Sequence, residues 1–388
     1  MSNVPKLRFK EFSGEWEENN LKKLSELITK GTTPKKFSNS GITFVKIEGI
    51  NNLSINKDKC LFIDENTHNK ELKRSILKEQ DILFAIAGSL GKVAVVTKNI
   101  LPANTNQALS IIRLKNKDYL NYILFVLQSR RMKKYIYKNL SVGAQPNLSL
   151  EQIGNFNFFL PLKQEQEKIA SFLISVDTRI KQLTKKEELL QQYKKGVLQK
   201  IFNQEIKFKK DDGTEFDEWE EKNLSSLCTI KKGSQLNKDT LTETGDYPAV
   251  NGGINPSGHT TQYNTEENTI TISEGGNSCG YVNFITTKFW SGGHNYSLQD
   301  LKKSIENLYL FQYLKHNENS IMSLRVGSGL PNIQKGAISN FLVLVPCNKE
   351  QNKIANFLSS IDTKIEQTQK QLELSKEFKK ALLQQIFV

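Results

Sequence analysis

The chain has 388 residues, 37% hydrophobic and 24% charged, with a formal net charge of +13. That length exceeds one ordinary core and points to two or three domains. No run approaches the roughly 18 apolar residues of a membrane span. The opening MSNVPKLRFKEF lacks a signal peptide's apolar centre, and Cys60, Cys228, Cys279 and Cys347 form no CxxC pair. These features argue against a disulfide framework or a zinc site and read as a cytoplasmic protein.

The charge is lopsided. Residues 1–162 hold 25 Lys and Arg against 14 Asp and Glu, whereas residues 206–346 hold 13 against 16. Any phosphate footprint should therefore favour the first part of the chain. Arginine is scarce, at positions 8, 74, 113, 130, 131, 179 and 325.

In chain order, residues 1–162 open on LRFKEFSGEWEENNLKKL (7–24) and continue as a mixed α/β body. Short apolar runs such as DILFAIAG, bounded by Gly and Asn, read as strands, and a helix is expected over 118–138. The stretch VGAQPNLSLEQIGNFNFFLPLKQEQ (142–166) supplies a Pro-Asn turn, a strand and the start of a long helix over 163–205. That helix places apolar residues at Ile169, Leu173, Val176, Ile180, Leu183, Leu190, Val197 and Ile201, a coiled-coil seam interrupted at Glu187 and Lys194.

Residues 206–346 run through the same order again. IKFKKDDGTEFDEWEEKNLSSL (206–227) answers the first opening, NTITISEGG reads as a strand, and a helix is expected over 304–316. VGSGLPNIQKGAISNFLVLVPCNKEQ (326–351) leads into a second long helix over 347–388. Its seam is Ile354, Leu358, Ile361, Ile365, Leu372, Leu382 and Ile386, with polar breaks at Thr368, Ser375 and Lys379. KIASFLISVDTRIKQL at Lys168 returns 185 residues later as KIANFLSSIDTKIEQT at Lys353, and the breaks at Lys194 and Lys379 coincide. Each helix spans about 60 Å at 1.5 Å per residue. A narrow apolar stripe on such a helix needs a partner, and the simplest is its own copy. Trp16 and Trp219 precede Glu-Glu in both openings, and Gly31 corresponds to Gly233. Between these edges, TTPKKFSNSGITFVKIEGINNL has no close counterpart in SQLNKDTLTETGDYPAVNGGINPSGHTTQY. Such a repeat reads as one frame around two interiors that recognise different things.

The openings around Trp16 and Trp219, and the repeated P…EQ-KIA-FL…D-I helix starts, resemble the specificity subunit of type I restriction-modification enzymes over the whole chain. The resemblance implies two mixed α/β target-recognition domains (1–162 and 206–346), each followed by a long helix (163–205 and 347–388), the helices pairing as an antiparallel coiled coil. It implies that each domain reads one half of a bipartite, gapped site in double-stranded DNA. Two methyltransferase subunits would dock on the chain, and restriction and translocase subunits would join them. A rigid spacer would then fix the number of base pairs between half-sites, because B-DNA repeats about every 34 Å.

The residues themselves show no catalytic motif. GSLGKV (88–93) lacks P-loop spacing, there is no Pro-Pro for an adenine methyltransferase motif, and His68, His259, His294 and His316 show no metal spacing. No catalytic, cofactor or metal residue is expected here. The resemblance assigns S-adenosylmethionine, ATP and Mg to the partner subunits. The other readings are a coiled-coil adaptor for proteins and a self-contained DNA enzyme whose site escapes recognition. An RNA-binding aromatic platform is not evident.

DNA contact requires Lys or Arg for phosphates and Asn, Gln, Arg or Lys for base edges. The first body offers Lys30, Lys35 and Lys36 in a Gly-opened loop, Lys92 beside two glycines, and Asn104, Asn106 and Gln107. Arg130 and Arg131 lie in SRRMKKY, where helix-terminal charge is an equal reading to phosphate binding. The second body offers Lys231, Lys232, Asn251, Asn255, His259, Asn277, His294, Asn295, Tyr296 and Arg325. With a single arginine, its half-site is expected to rest on A/T contacts or on lysine for guanine. The repeated EQ-KI starts and KK-LLQ-IF ends read either as helix capping and termination or as docking surfaces for the methyltransferase.

Overall fold

The computed structural model describes residues 3–140, 146–237, 239, 241–327 and 329–388. Parts of both Pro-Asn turns, at 141–145 and at 328, lie outside the described residues. The chain forms two compact units: residues 1–184 with 371–388, and residues 185–370.

In the first unit a four-stranded antiparallel sheet has the order Ser25–Lys30, Leu109–Leu114, Ile82–Ala85, Val93–Val95. Alternate residues of its central strands face opposite ways, as the pleat requires. Ile82, Phe84, Ile112 and Leu114 enter a core shared with helical residues, including Ile169 and Leu173. Leu83, Ala85, Leu109 and Ile111 enter a second core with Val45 and Ala103. Val45 and Ala103 belong to a three-stranded sheet in which Ile42–Val45 pairs antiparallel with Leu61–Ile63 and parallel with Ala103–Thr105. A two-stranded ribbon, Glu17–Asn20 with Asn157–Leu160, joins the beginning of the body to the start of the first long helix.

The second unit repeats this plan. Its four-stranded sheet runs Thr229–Lys232, Asn295–Gln299, Thr269–Ser273, Val282–Ile285. Tyr247–Val250 pairs antiparallel with His259–Thr260 and parallel with Trp290–Ser291. Glu220–Asn223 and Leu342–Val345 form the ribbon. The interiors without close sequence counterparts therefore share a topology, in keeping with two mixed α/β bodies. The second sheet face also changed character. Leu83, Ala85, Leu109 and Ile111 are apolar, whereas Thr269, Thr271, Ser273, Asn295 and Ser297 fill the second unit with buried polar groups. The other face stays apolar, with Ile270, Ile272 and Leu298 in the main core.

The helix expected over 118–138 is two, Leu120–Val126 and Arg130–Asn139. Extended Ser129 separates them and caps the second, its hydroxyl accepting from the Met132 amide at 3.3 Å. Asn307–His316 is likewise followed by a short helix, Glu318–Ser323.

The long helices are Lys163–Phe202 and Asn348–Gln385. In the first unit Ile169, Leu173 and Val176 pack in one core with Leu382 and Ile386, so early residues of one helix meet late residues of the other. In the second unit Val197 and Ile201 share a core with Ile354, Leu358, Ile361 and Ile365. The pairing is antiparallel in each. Leu183 and Leu372 are buried, while Ile180 and Leu190 pack at the core margins. The seam ends do more than pair: Ile201 and Phe202 lie in the body's core with Tyr309 and Tyr313.

Candidate nucleic-acid interface

The repeated Glu-Gln at each helix start is turned inward. Gln166 donates to the Pro161 carbonyl at 2.8 Å, and Gln351 to the Pro346 carbonyl at 2.7 Å. Glu165 accepts two bonds from Arg8 at 2.8 Å each, while Glu350 accepts from Trp219 Nε1 at 3.1 Å. All four are buried. They cap and anchor their own chain, so of the two readings of EQ-KI the capping one fits the structure.

The first body's candidate loop leaves the sheet at Gly31, where a Cβ would lie 2.1 Å from the Thr105 carbonyl oxygen. Gly233 stands in the same relation to the Gly292 carbonyl, also at 2.1 Å. Only a glycine lets the loop cross that close to the neighbouring strand. The residues that follow these glycines are held alike, Thr32 N donating to Thr105 O at 3.0 Å and Ser234 N to Ser291 O at 2.9 Å. Lys30, Lys35, Lys36 and Gln107 are exposed around this loop. Thr33 hydrogen-bonds Gln107, and Arg74, absent from the sequence candidates, donates to Thr32 Oγ1 at 3.1 Å. Asn106 is half-buried and accepts from the Ala108 amide at 3.2 Å.

Three expectations are corrected, and a fourth candidate, Arg131, is found engaged with main-chain oxygens. Asn104 is fully buried, bonded to His68 and donating to the Leu72 carbonyl at 3.0 Å. Asn295 is buried and donates to Ser291 Oγ at 3.1 Å. Tyr296 is buried, donating to Glu274 at 3.1 Å, and burial pushes its phenol up to about 12. Arg131 commits its guanidinium to the main-chain oxygens of Asn157 and Val388, at 2.8 and 3.0 Å, over the Phe159 ring. These side chains tie strands and helix ends together: the strand pleat turned the first three inward, while Arg131 stays half-buried at the surface.

In the second body Lys231, Asn251, Asn255, Asn277, His294 and Arg325 are exposed, and His259 is half-buried in its strand. The structure gathers several of them. Lys232 Nζ lies 2.6 Å from Glu274, His294 Nδ1 lies 3.7 Å from the other oxygen of that carboxylate, and Asn251 accepts from the His294 amide at 3.1 Å. Glu274 holds these groups together and carried no signal in the sequence. Asn251 also lines a hollow of about 360 Å³ with Gln235, Ser257 and Trp290.

Lys92 and Arg130 meet in the first unit, in a cleft of about 590 Å³ also lined by Lys133, Lys376 and Lys380. Among the described residues no three His, Cys, Asp or Glu side chains gather to hold a metal ion. No helix among them is long and apolar enough to cross a membrane.

The family model for the type I restriction modification DNA specificity domain matches this chain twice, over residues 13–191 and 216–376. The chain belongs to this family. A Mycoplasma pneumoniae protein provisionally named as a type I specificity subunit is 34% identical over 171 residues, 44% of this chain and 45% of that one. This match thus spans less than half the length of its relative. A Methanocaldococcus jannaschii protein with a provisional type I restriction enzyme specificity-subunit name is 26% identical over 98% of this chain and 95% of its own. The fold is similar to that of the crystal structure of a type I restriction-modification S subunit from M. genitalium, with a TM-score of 0.68, 19% identity and 99% of both chains covered.

Proposed function

We propose that this specificity-family chain reads a bipartite, gapped site in double-stranded DNA, each body taking one half. The observation that carries the reading is the double family match on two bodies of one topology whose loops share the Lys-Gly of Lys30-Gly31 and Lys232-Gly233 but differ in the exposed groups that follow. One plan used twice, with different exposed groups, suits two different short sequences better than one continuous one. In this reading the chain does no chemistry. Two methyltransferase subunits supply the S-adenosylmethionine site and flip and methylate an adenine at N6. Restriction and translocase subunits bring ATP and Mg, and the assembly works in the cytoplasm.

The test is selection of duplexes from a random library by the full chain assembled with a type I methyltransferase subunit. The expected result is two short fixed words separated by a constant number of undetermined base pairs. One uninterrupted word, or no enrichment, contradicts the proposal.

A further inference from the structure

The cleft of the first unit combines parts that the sequence kept separate. Lys92 comes from the loop after Gly88, Arg130 and Lys133 from the first turn of Arg130–Asn139, and Lys376 and Lys380 from the last third of the second long helix. All five are exposed, and among the described residues none has a carboxylate within ion-pair distance. No Asp or Glu is among the residues lining the cleft. Lys379, deeper in, is held by Asp177 at 2.6 Å. A cleft with one sign of charge focuses its field and draws an anion. Lys376 and Lys380 stand one helical turn apart, on one face, so the ligand must present several anionic groups in a row. Asn52, Gln128 and Gln384 line the same cleft and offer further donors.

The duplication supplies a control inside the molecule. At the 185-residue offset of the helices, Gln191 replaces Lys376, while Lys195 matches Lys380. Tyr281 holds the place of Lys92, each directly preceding the outer sheet strand. The second unit's short helix Glu318–Ser323 contains a glutamate and no cation. The fold and the helix pairing therefore form in the second unit with Lys195 alone of these charges kept, so the added cations of the first unit answer a different demand.

We infer that this cleft seats the sugar-phosphate backbone of DNA beside the first half-site, with Lys376 and Lys380 of the second long helix as phosphate contacts. The inference rests on the DNA reading above. Phosphate contacts position and base contacts specify, so a frame helix here sets affinity and register for the first body. The second body, with 13 basic residues against 16 acidic, lacks this hold.

The experiment measures binding of the full chain to a 40-base-pair duplex by fluorescence anisotropy across a salt series. Wild type is compared with K92Q/K133Q/K376Q/K380Q, with K376Q/K380Q alone, and with K181Q/K186Q/K364Q/K370Q, an exposed helix set outside the cleft. Glutamine at 376 copies the natural Gln191, which keeps the double variant foldable. Every lysine that neutralises a phosphate adds about 0.9 to the slope of log K against log salt. Replacing four or two of them is therefore expected to lower the slope by up to about 3.6 and 1.8, with the control set unchanged. An unchanged slope in folded cleft variants overturns the inference. Equal drops in the cleft and control sets also overturn it, since the whole field would then be responsible. An unchanged slope with loss of methyltransferase co-purification overturns it in favour of a protein surface. Wild type that shows no salt-dependent DNA binding sinks the DNA reading itself.

Discussion

Lys194 Nζ lies 2.6 Å from a carboxylate oxygen of Asp362. The copies of these residues, Lys379 and Asp177, are also 2.6 Å apart. A third pair, Gln369 and Glu187 at 2.8 Å, shares their constant total of residue numbers, as one antiparallel register demands. Three polar positions that break the heptad seam, Glu187, Lys194 and Lys379, are thus its rungs, whereas Thr368 and Ser375 bond their own helix. Polar groups placed at seam positions fix register at some expense of stability.

The two ion pairs should differ in strength. Asp177 is 31% exposed and Asp362 40%, so solvent screens the second pair more. A double-mutant cycle on Asp177 and Lys379 is expected to give a coupling of about 1 kcal/mol, and the cycle on Lys194 and Asp362 a smaller one. Equal or reversed couplings, measured by chemical denaturation, contradict the exposure argument.

Equivalent glutamates should respond oppositely to neutralisation. Glu165 is buried against Arg8, so E165Q leaves a cation without its partner and is expected to destabilise by about 3 kcal/mol. Glu350 has no such pair, and burial holds its carboxyl above the usual range despite the Trp219 bond and nearby Lys207. A raised folded-state pKa contributes stability at low pH that is lost as pH rises through it. E350Q should therefore gain on wild type as pH climbs from the ordinary carboxylate value through that of Glu350. Melting temperatures of both variants between pH 4 and 8 check this.

Asn104 and Asn295 should prove structural. N104A and N295A each remove a buried, bonded amide and are expected to destabilise by about 2 kcal/mol, with DNA affinity of the folded protein retained. R74A and Q107A, both exposed, should leave the melting temperature alone and weaken DNA binding. The opposite pattern would return the buried amides to the interface.

Three glycines separate crowding from freedom. G31A and G233A drive a Cβ into a backbone carbonyl and should cost about 2 kcal/mol. Gly196 lies mid-helix with nothing within 4 Å of its Cβ position, and its copy is already Ala381. G196A is expected to stabilise by about 0.8 kcal/mol. Denaturant midpoints decide both.

The long helices were legible because seam positions, apolar but for the polar breaks at 187, 194, 368, 375 and 379, recur every three or four residues from Ile169 to Ile201 and again from Ile354 to Ile386. The shared topology of the bodies was not legible, because pairing is made by backbone while Leu83 and Ile111 gave way to Thr271 and Ser297 on the hidden sheet face. Lys35, Lys36 and Asn255 were readable as exposed, lying in Gly- and Pro-marked loops. Asn104, Asn295 and Tyr296 were misjudged since a polar side chain at a strand end looks the same whichever face it takes. Lys376 and Lys380 read as an ordinary helix surface until the fold set them opposite Arg130.

The central claim is that each body reads its own half-site. The direct measurement is a genome-wide adenine-methylation map in a methylation-free host expressing this chain with a type I methyltransferase subunit, repeated after exchanging residues 1–160 and then 206–346 with those of a relative. The account predicts one gapped bipartite motif, with one half altered by the first exchange and the other half by the second. A motif in which either exchange changes both halves, or no methylation from a soluble, co-purifying assembly, would contradict it.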